Sequence, residues 1–155
     1  MGQVAGRMRL AALVLLVAMT GCTAMQEIAA PWRDRPAESA LYMVKESLME
    51  VRVTVFFPMC DVEAPVGKDA ELCQRWKGTI DPAVSLAYRD AVAGVQIAQS
   101  DAEANAKAAL AVGKLVDTLD QLTVLDQHAT RQDVYGRLAI VARAVLVGLQ
   151  GGGES

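Results

Sequence analysis

The sequence predicts an all-α fold, a three-helix bundle built on one long helix, with a disulfide-closed loop between the first and second helices. Three observations carry that expectation. Apolar residues recur at steps of three and four along three separate stretches. Helix-start residues stand at the head of each stretch, and glycines follow the last. The one long interval without a helical period holds two cysteines, Cys60 and Cys73. The predicted layout is a leader over residues 1–21, a tether over 22–35, a helical domain over 36–150 and a disordered tail over 151–155.

The leader comes first. Arg7 and Arg9 precede a ten-residue apolar run, residues 10–19, and the small residues Thr20 and Gly21 stand just before Cys22. This is the three-part layout of an export signal. Its apolar run is far below the roughly 20 residues that cross about 30 Å of hydrocarbon, so it reads as a leader and not a span. The tetrad Met19-Thr20-Gly21-Cys22 resembles the lipobox of bacterial lipoproteins, in which cleavage before the cysteine is coupled to acylation of that residue. The resemblance covers the first 22 residues only, with Met19 where Leu is usual. It implies a lipidated Cys22 as the mature N-terminus. Thr23, by resemblance to enterobacterial lipoproteins, implies the periplasmic face of the outer membrane. An ordinary signal peptide that leaves Cys22 as a thiol is the alternative.

Cleavage there leaves 134 residues with 13 basic against 18 acidic side chains, a net charge of −5. That is one domain's length, sufficient for a buried core. An acidic chain with no Lys/Arg cluster argues against a nucleic-acid partner and against electrostatic capture by anionic lipid. The expected membrane attachment is therefore through the acyl chains on Cys22. One chain holds marginally, whereas several make the attachment effectively permanent.

The tether, with Pro31 and Pro36 and no sustained period, reaches at most about 45 Å when fully extended. Its Trp32 suits either the lipid interface or the first helix. Pro36 then opens a helix in which Leu41, Val44, Leu48, Val51 and Val55 form the stripe, widened by Tyr42, Met49 and Phe56. Residues 51–55 also alternate with period two and would suit a strand. Pro58 is expected to end the element either way.

Residues 58–78 read as a loop closed by Cys60 and Cys73, since an even pair of cysteines in an exported chain defaults to a disulfide. Zinc is the competing reading, but the chain's single histidine, His128, cannot complete a four-ligand site with them. Two helical turns over 69–77 would turn Cys73 and Trp76 inward, with Asp69 as a possible N-cap and Met59 and Trp76 filling the space beneath the loop.

Asp81 and Pro82 are a sharp start signal, and from Val84 to Leu119 one heptad register holds with Asn105 as its polar interruption. A helix of about 40 residues would be about 60 Å long. Ser100-Asp101-Ala102-Glu103 matches a capping box, so a kinked junction of two helices there is the other reading. The middle of this stretch is rich in Ala and Gly, which reads as core packing, with a homodimer seam as the alternative. A third start signal at residues 130–133 opens the last helix, with Val134, Leu138, Val141, Val145 and Leu149 as its stripe. From Ala139 to Leu149 it is apolar almost all round apart from Arg143, so this part should be buried between helices or against a partner.

No phosphate loop, metal-ligand cluster or activated nucleophile is legible, so no catalytic residue, no metal and no cofactor is expected. His128 reads as a turn residue. Carboxylate pairs such as Asp117 with Asp120, or Glu46 with Glu50, read as solvated faces. The expected function is non-enzymatic: a lipid-anchored helical protein that acts by contact with an envelope protein, as a structural or adaptor component. An immunity or exclusion lipoprotein, its acidic domain meeting a basic toxin, is the other reading.

Overall fold

The computed structural model describes residues 35–62 and 65–151. The leader, Cys22, Trp32 with most of the tether, and residues 152–155 lie outside the described residues. Among the described residues all regular structure is helical, in five helices: α1 Pro36–Val51, α2 Gly67–Arg75, α3 Asp81–Ile97, α4 Asp101–Leu125 and α5 Ala129–Gly151. Three π-helical turns join them, Arg52–Phe56 and Pro58–Val62 after α1 and Trp76–Ile80 between α2 and α3.

The predicted stripe of α1 is the buried face. Leu41, Val44, Leu48, Val51 and Val55 are all buried, and the strand reading of residues 51–55 gives way to a π turn. Tyr42 and Met49, expected to widen that stripe, point outward instead. Pro58 does not end the helical path. It opens a second π turn, where a missing N–H at the first position leaves nothing unsatisfied. Asp69 is not an N-cap: Val66, with extended dihedrals, precedes α2, and Asp69 lies in its first turn. Asp81 does not cap α3 either. The chain enters α3 from a π turn with helical dihedrals already in place, so the first N–H groups meet preceding carbonyls.

The largest departure is the long helix, which is two. Ala98 and Ser100 are extended, at φ −62°, ψ 136° and φ −149°, ψ 158°. The Glu103 N–H donates to Ser100 Oγ at 3.2 Å, and the Glu103 carboxylate reaches back to accept from the Gln99 N–H at 3.1 Å, one residue before the Ser100 N–H that would complete a capping box. The chain reverses, and α4 packs back along α3. The heptad register does not survive the break: Ala102, on it, is exposed, and α4 buries Ala108, Ala111 and Leu115, which lie off it.

The result is four long helices and one short one in place of a three-helix bundle. Helices α1, α3, α4 and α5 alternate in direction: Arg52 after the end of α1 meets Asp81 and Ser85 at the start of α3, and the short α3–α4 and α4–α5 connections then reverse the chain twice. The pair α1 and α4 packs through the middle, with α3 and α5 on its two sides. Ala91, Ala108 and Ala111 of the Ala-rich stretch are buried in this core with Val112, Leu115 and Leu122. One end of the bundle holds α2, the disulfide and the α4–α5 turn. The other holds Pro36, the break at residues 98–100 and the end of α5.

Candidate contact face at the disulfide end

The site is built from the inside outward. Cys60 and Cys73 are joined, tying the π turn after α1 to α2 across a Cα–Cα distance of 5.7 Å. Beneath the bridge Phe56 and Trp76 stack face to face, with centroids 4.0 Å apart and planes within 2°, and both are buried. Met59 fills the space beside them, as its place in the sequence suggests. Two ion pairs close the flank. Arg52 donates to Asp81 Oδ1 at 2.9 and 2.6 Å and to Ser85 Oγ at 2.7 Å, and Lys77 pairs with Asp61.

On this rigid support Met49, Val53 and Phe57 are turned to the outside, with about half of each side chain's area exposed. They are spaced four apart. The α-helical half of that interval drifts one way round the axis, while the wider π turn, which takes more residues per revolution, corrects the drift, so the three lie nearly in line. A notch of about 260 Å³ beside Phe57 is lined by Arg52, Phe56, Asp61, Trp76, Lys77 and Asp81. Its two cations are already bound to its two carboxylates, leaving no free charge for a small ion. An apolar row with a polar, charge-balanced rim has the anatomy of a protein contact patch.

A buried polar network fixes α2 and α5 to this end. Asp126, whose side chain is fully buried, follows α4. Its carboxylate accepts from Arg131 at 2.7 and 2.8 Å, from the Tyr135 hydroxyl at 2.9 Å and from the His128 backbone N–H at 3.0 Å. Arg131 also donates to Asp69 of α2 at 2.8 Å. The Gln132 amide donates to the carbonyls of Thr123 and Asp126, which would otherwise end α4 unpaired. Burial works to raise the Asp126 pKa, but these hydrogen bonds and the Arg131 charge outweigh it and hold the carboxyl below its ordinary value. Burial, reinforced by the Asp126 charge, pushes the Tyr135 phenol well up. Burial opposes the Arg131 charge, yet its bonds to Asp126 and Asp69 leave it more firmly protonated.

The residues singled out in the sequence scatter. Cys60 and Cys73 meet, and Cys22 lies outside the described residues. His128 is 62% exposed, with Nε2 3.8 Å from Asp69 Oδ2. Glu46, Glu50 and Asp117 are exposed, and Asp120 pairs with Arg143. Among the described residues no three His, Cys, Asp or Glu side chains converge as metal ligands. Asp126 with Arg131 and Tyr135 was not anticipated. The available signal was the spacing of Arg131 and Tyr135, four apart on one helical face directly after an acid in residues 122–129, where the heptad register breaks. Comparison with protein-family models, with curated proteins and with solved structures finds no match to this chain.

Proposed function

We propose that this chain is a lipid-anchored helical protein of the bacterial envelope that acts by protein–protein contact, as a structural or adaptor component on the periplasmic face of the outer membrane. The anchor rests on Cys22 and the residues before it. The contact reading rests on one observation above others: the exposed row Met49, Val53 and Phe57 stands on the most strongly braced part of the domain. Rigid apolar anchors contribute most when little order remains to be imposed on binding. The balanced ion pairs of the rim favour an adaptor over an immunity protein, since this face offers no acidic patch to a basic toxin.

Two measurements test this separately. Cys22→Ser should accumulate as an uncut precursor and lose metabolic labelling with palmitate. Continued processing and labelling would defeat the anchor. A photo-crosslinking residue at position 57 of the full chain, irradiated in intact cells, should give a discrete adduct that Val53→Asp abolishes. Absence of an adduct, or the same adducts from exposed position 89 on α3, would defeat the contact face.

A further inference from the structure

Helix α5 departs from the rest of the domain. Its most apolar 18 residues have a mean hydropathy of 1.3, long and apolar enough by composition to cross a membrane, yet only 22% of that window is buried. Tyr135, Ala139, Ala142 and Leu149 face the core. The opposite face carries Ile140, Val141 and Val147, exposed by 67%, 50% and 68%, with the exposed small residues Ala144 and Gly148 among them. No acidic residue occurs in α5 beyond Asp133, and Arg137 and Arg143 border the apolar face. Asp120 of α4 reaches this border too, but there it is paired with Arg143.

The position of this face in the bundle indicates what covers it. Pro36, where α1 begins, lies at the same end as the C-terminus of α5, and α1 packs against α5. Only 13 residues separate Cys22 from Pro36, a contour of at most about 45 Å. Adjacent helix axes are about 8–10 Å apart, so an anchor at Cys22 keeps the end of α5 within reach of the bilayer throughout. Tethering makes the second contact intramolecular, with an effective concentration that favours even a weak apolar contact.

We propose that the outward face of α5 rests on the lipid surface, with Ile140, Val141, Ala144 and Val147 at the boundary between headgroups and acyl chains. The helix lies in the interface and does not span it, because its other face remains packed in the bundle. The bordering arginines sit at headgroup level. This leaves the row Met49, Val53 and Phe57, at the disulfide end, for a protein partner. The inference rests on the lipid-anchored reading of Cys22, and its test separates the two.

The full chain is expressed in a bacterial host, purified with its native modification and reconstituted into phosphatidylethanolamine/phosphatidylglycerol vesicles whose acyl chains are brominated near the headgroup. Val147→Trp and, as a second reporter, Ile140→Trp should each add blue-shifted emission, relative to wild type, that bromine largely quenches. Arg89→Trp, on α3 across the bundle, should add emission that bromine leaves unchanged. Helix content equal to wild type by circular dichroism qualifies each variant. Palmitate labelling with no quenching at either α5 position overturns the lipid contact and leaves the anchor standing. A blue shift without quenching, together with a doubled mass after cross-linking, gives the face to a second copy and likewise overturns it. Absence of labelling in the wild-type chain overturns the anchor, and this inference with it.

Discussion

The two ends of the bundle are held by different means. At the disulfide end a covalent bridge, the Phe56–Trp76 stack, two ion pairs and a buried carboxylate network each restrain the chain. At the opposite end α3 and α4 meet through small residues and a local cap. The Lys107 side chain lies 3.1 Å from where a Cβ on Gly94 would be, and Asn105 Oδ1 is buried without a hydrogen-bond partner. One end is fixed by a covalent bridge and by large and charged groups that find partners, the other by close approach at Gly94 and a local cap, with one buried polar group left unpaired. The apolar area offered by α5 lies toward the second end, where the fold itself supplies less to cover it.

The largest expected effect comes from removing the centre of the braced end. Asp126→Ala leaves Arg131 facing only Asp69 and the Tyr135 hydroxyl unpaired, and should cost about 3–5 kcal/mol of unfolding free energy in urea titration. The same carboxyl sets an acid limit. Its folded pKa is below its unfolded one, so its stabilisation is complete above about pH 4 and is lost as pH falls through the folded value. The wild type should therefore lose more stability than Asp126→Ala between neutral and acid pH, and parallel losses would contradict the assignment. Tyr135 has the opposite sign. Its phenol is raised, so its contribution holds below about pH 10 and falls as pH climbs above that, a loss that Tyr135→Phe should remove.

Opening the disulfide comes next. With Cys60 and Cys73 both replaced by Ser, the chain-entropy estimate for a loop of this size is a loss of about 3 kcal/mol, readable as a lower thermal midpoint. Hydrogen exchange should quicken in α2 and leave the junction of α3 and α4 unaltered. If both ends loosen together, the two regions are one cooperative unit and the contrast fails. At the other end Ser100→Ala removes the N-cap acceptor of the Glu103 N–H and should cost about 1 kcal/mol. The smallest change should be a gain. Asn105→Ala deletes the unpaired buried oxygen and adds helix propensity, for up to about 1 kcal/mol more stability; a loss would mean that Asn105 finds a partner in solution.

Much of the candidate site was legible one residue at a time. Cys60 and Cys73 follow from being the two cysteines left once Cys22 is set aside as the expected lipidation site, and Trp76 and Met59 from apolar character under a closed loop. Phe57 was not singled out, because its exposure depends on a π turn that shifts the residues after Val51 around the axis, and hydrophobic period does not reveal such a turn. Asp126 was passed over for a similar reason. An acid in a register break normally faces water, and only the folding of Arg131 and Tyr135 onto it makes burial tolerable.

By itself the sequence determined the helical class, the buried stripe of α1 and a helix-start signal at Ser100, because each depends on residues close together, and it determined the disulfide pair once Cys22 was set aside as the expected lipidation site. Tertiary structure decided that the Ser100 signal reverses the chain, and with the reversal the buried set changes: Ala102 of the heptad register is exposed, whereas Ala108, Ala111 and Leu115, outside it, are buried. It also decided the rotation of α5. The expected stripe was Val134, Leu138, Val141, Val145 and Leu149, whereas Tyr135, Ala139, Ala142 and Leu149 are buried and Val141 is half-exposed. A helix apolar almost all round has no preferred face for periodicity to find, so its orientation is set by the few polar groups that must be satisfied: Arg131 and Tyr135 turn toward Asp126, and the rest of α5 turns with them.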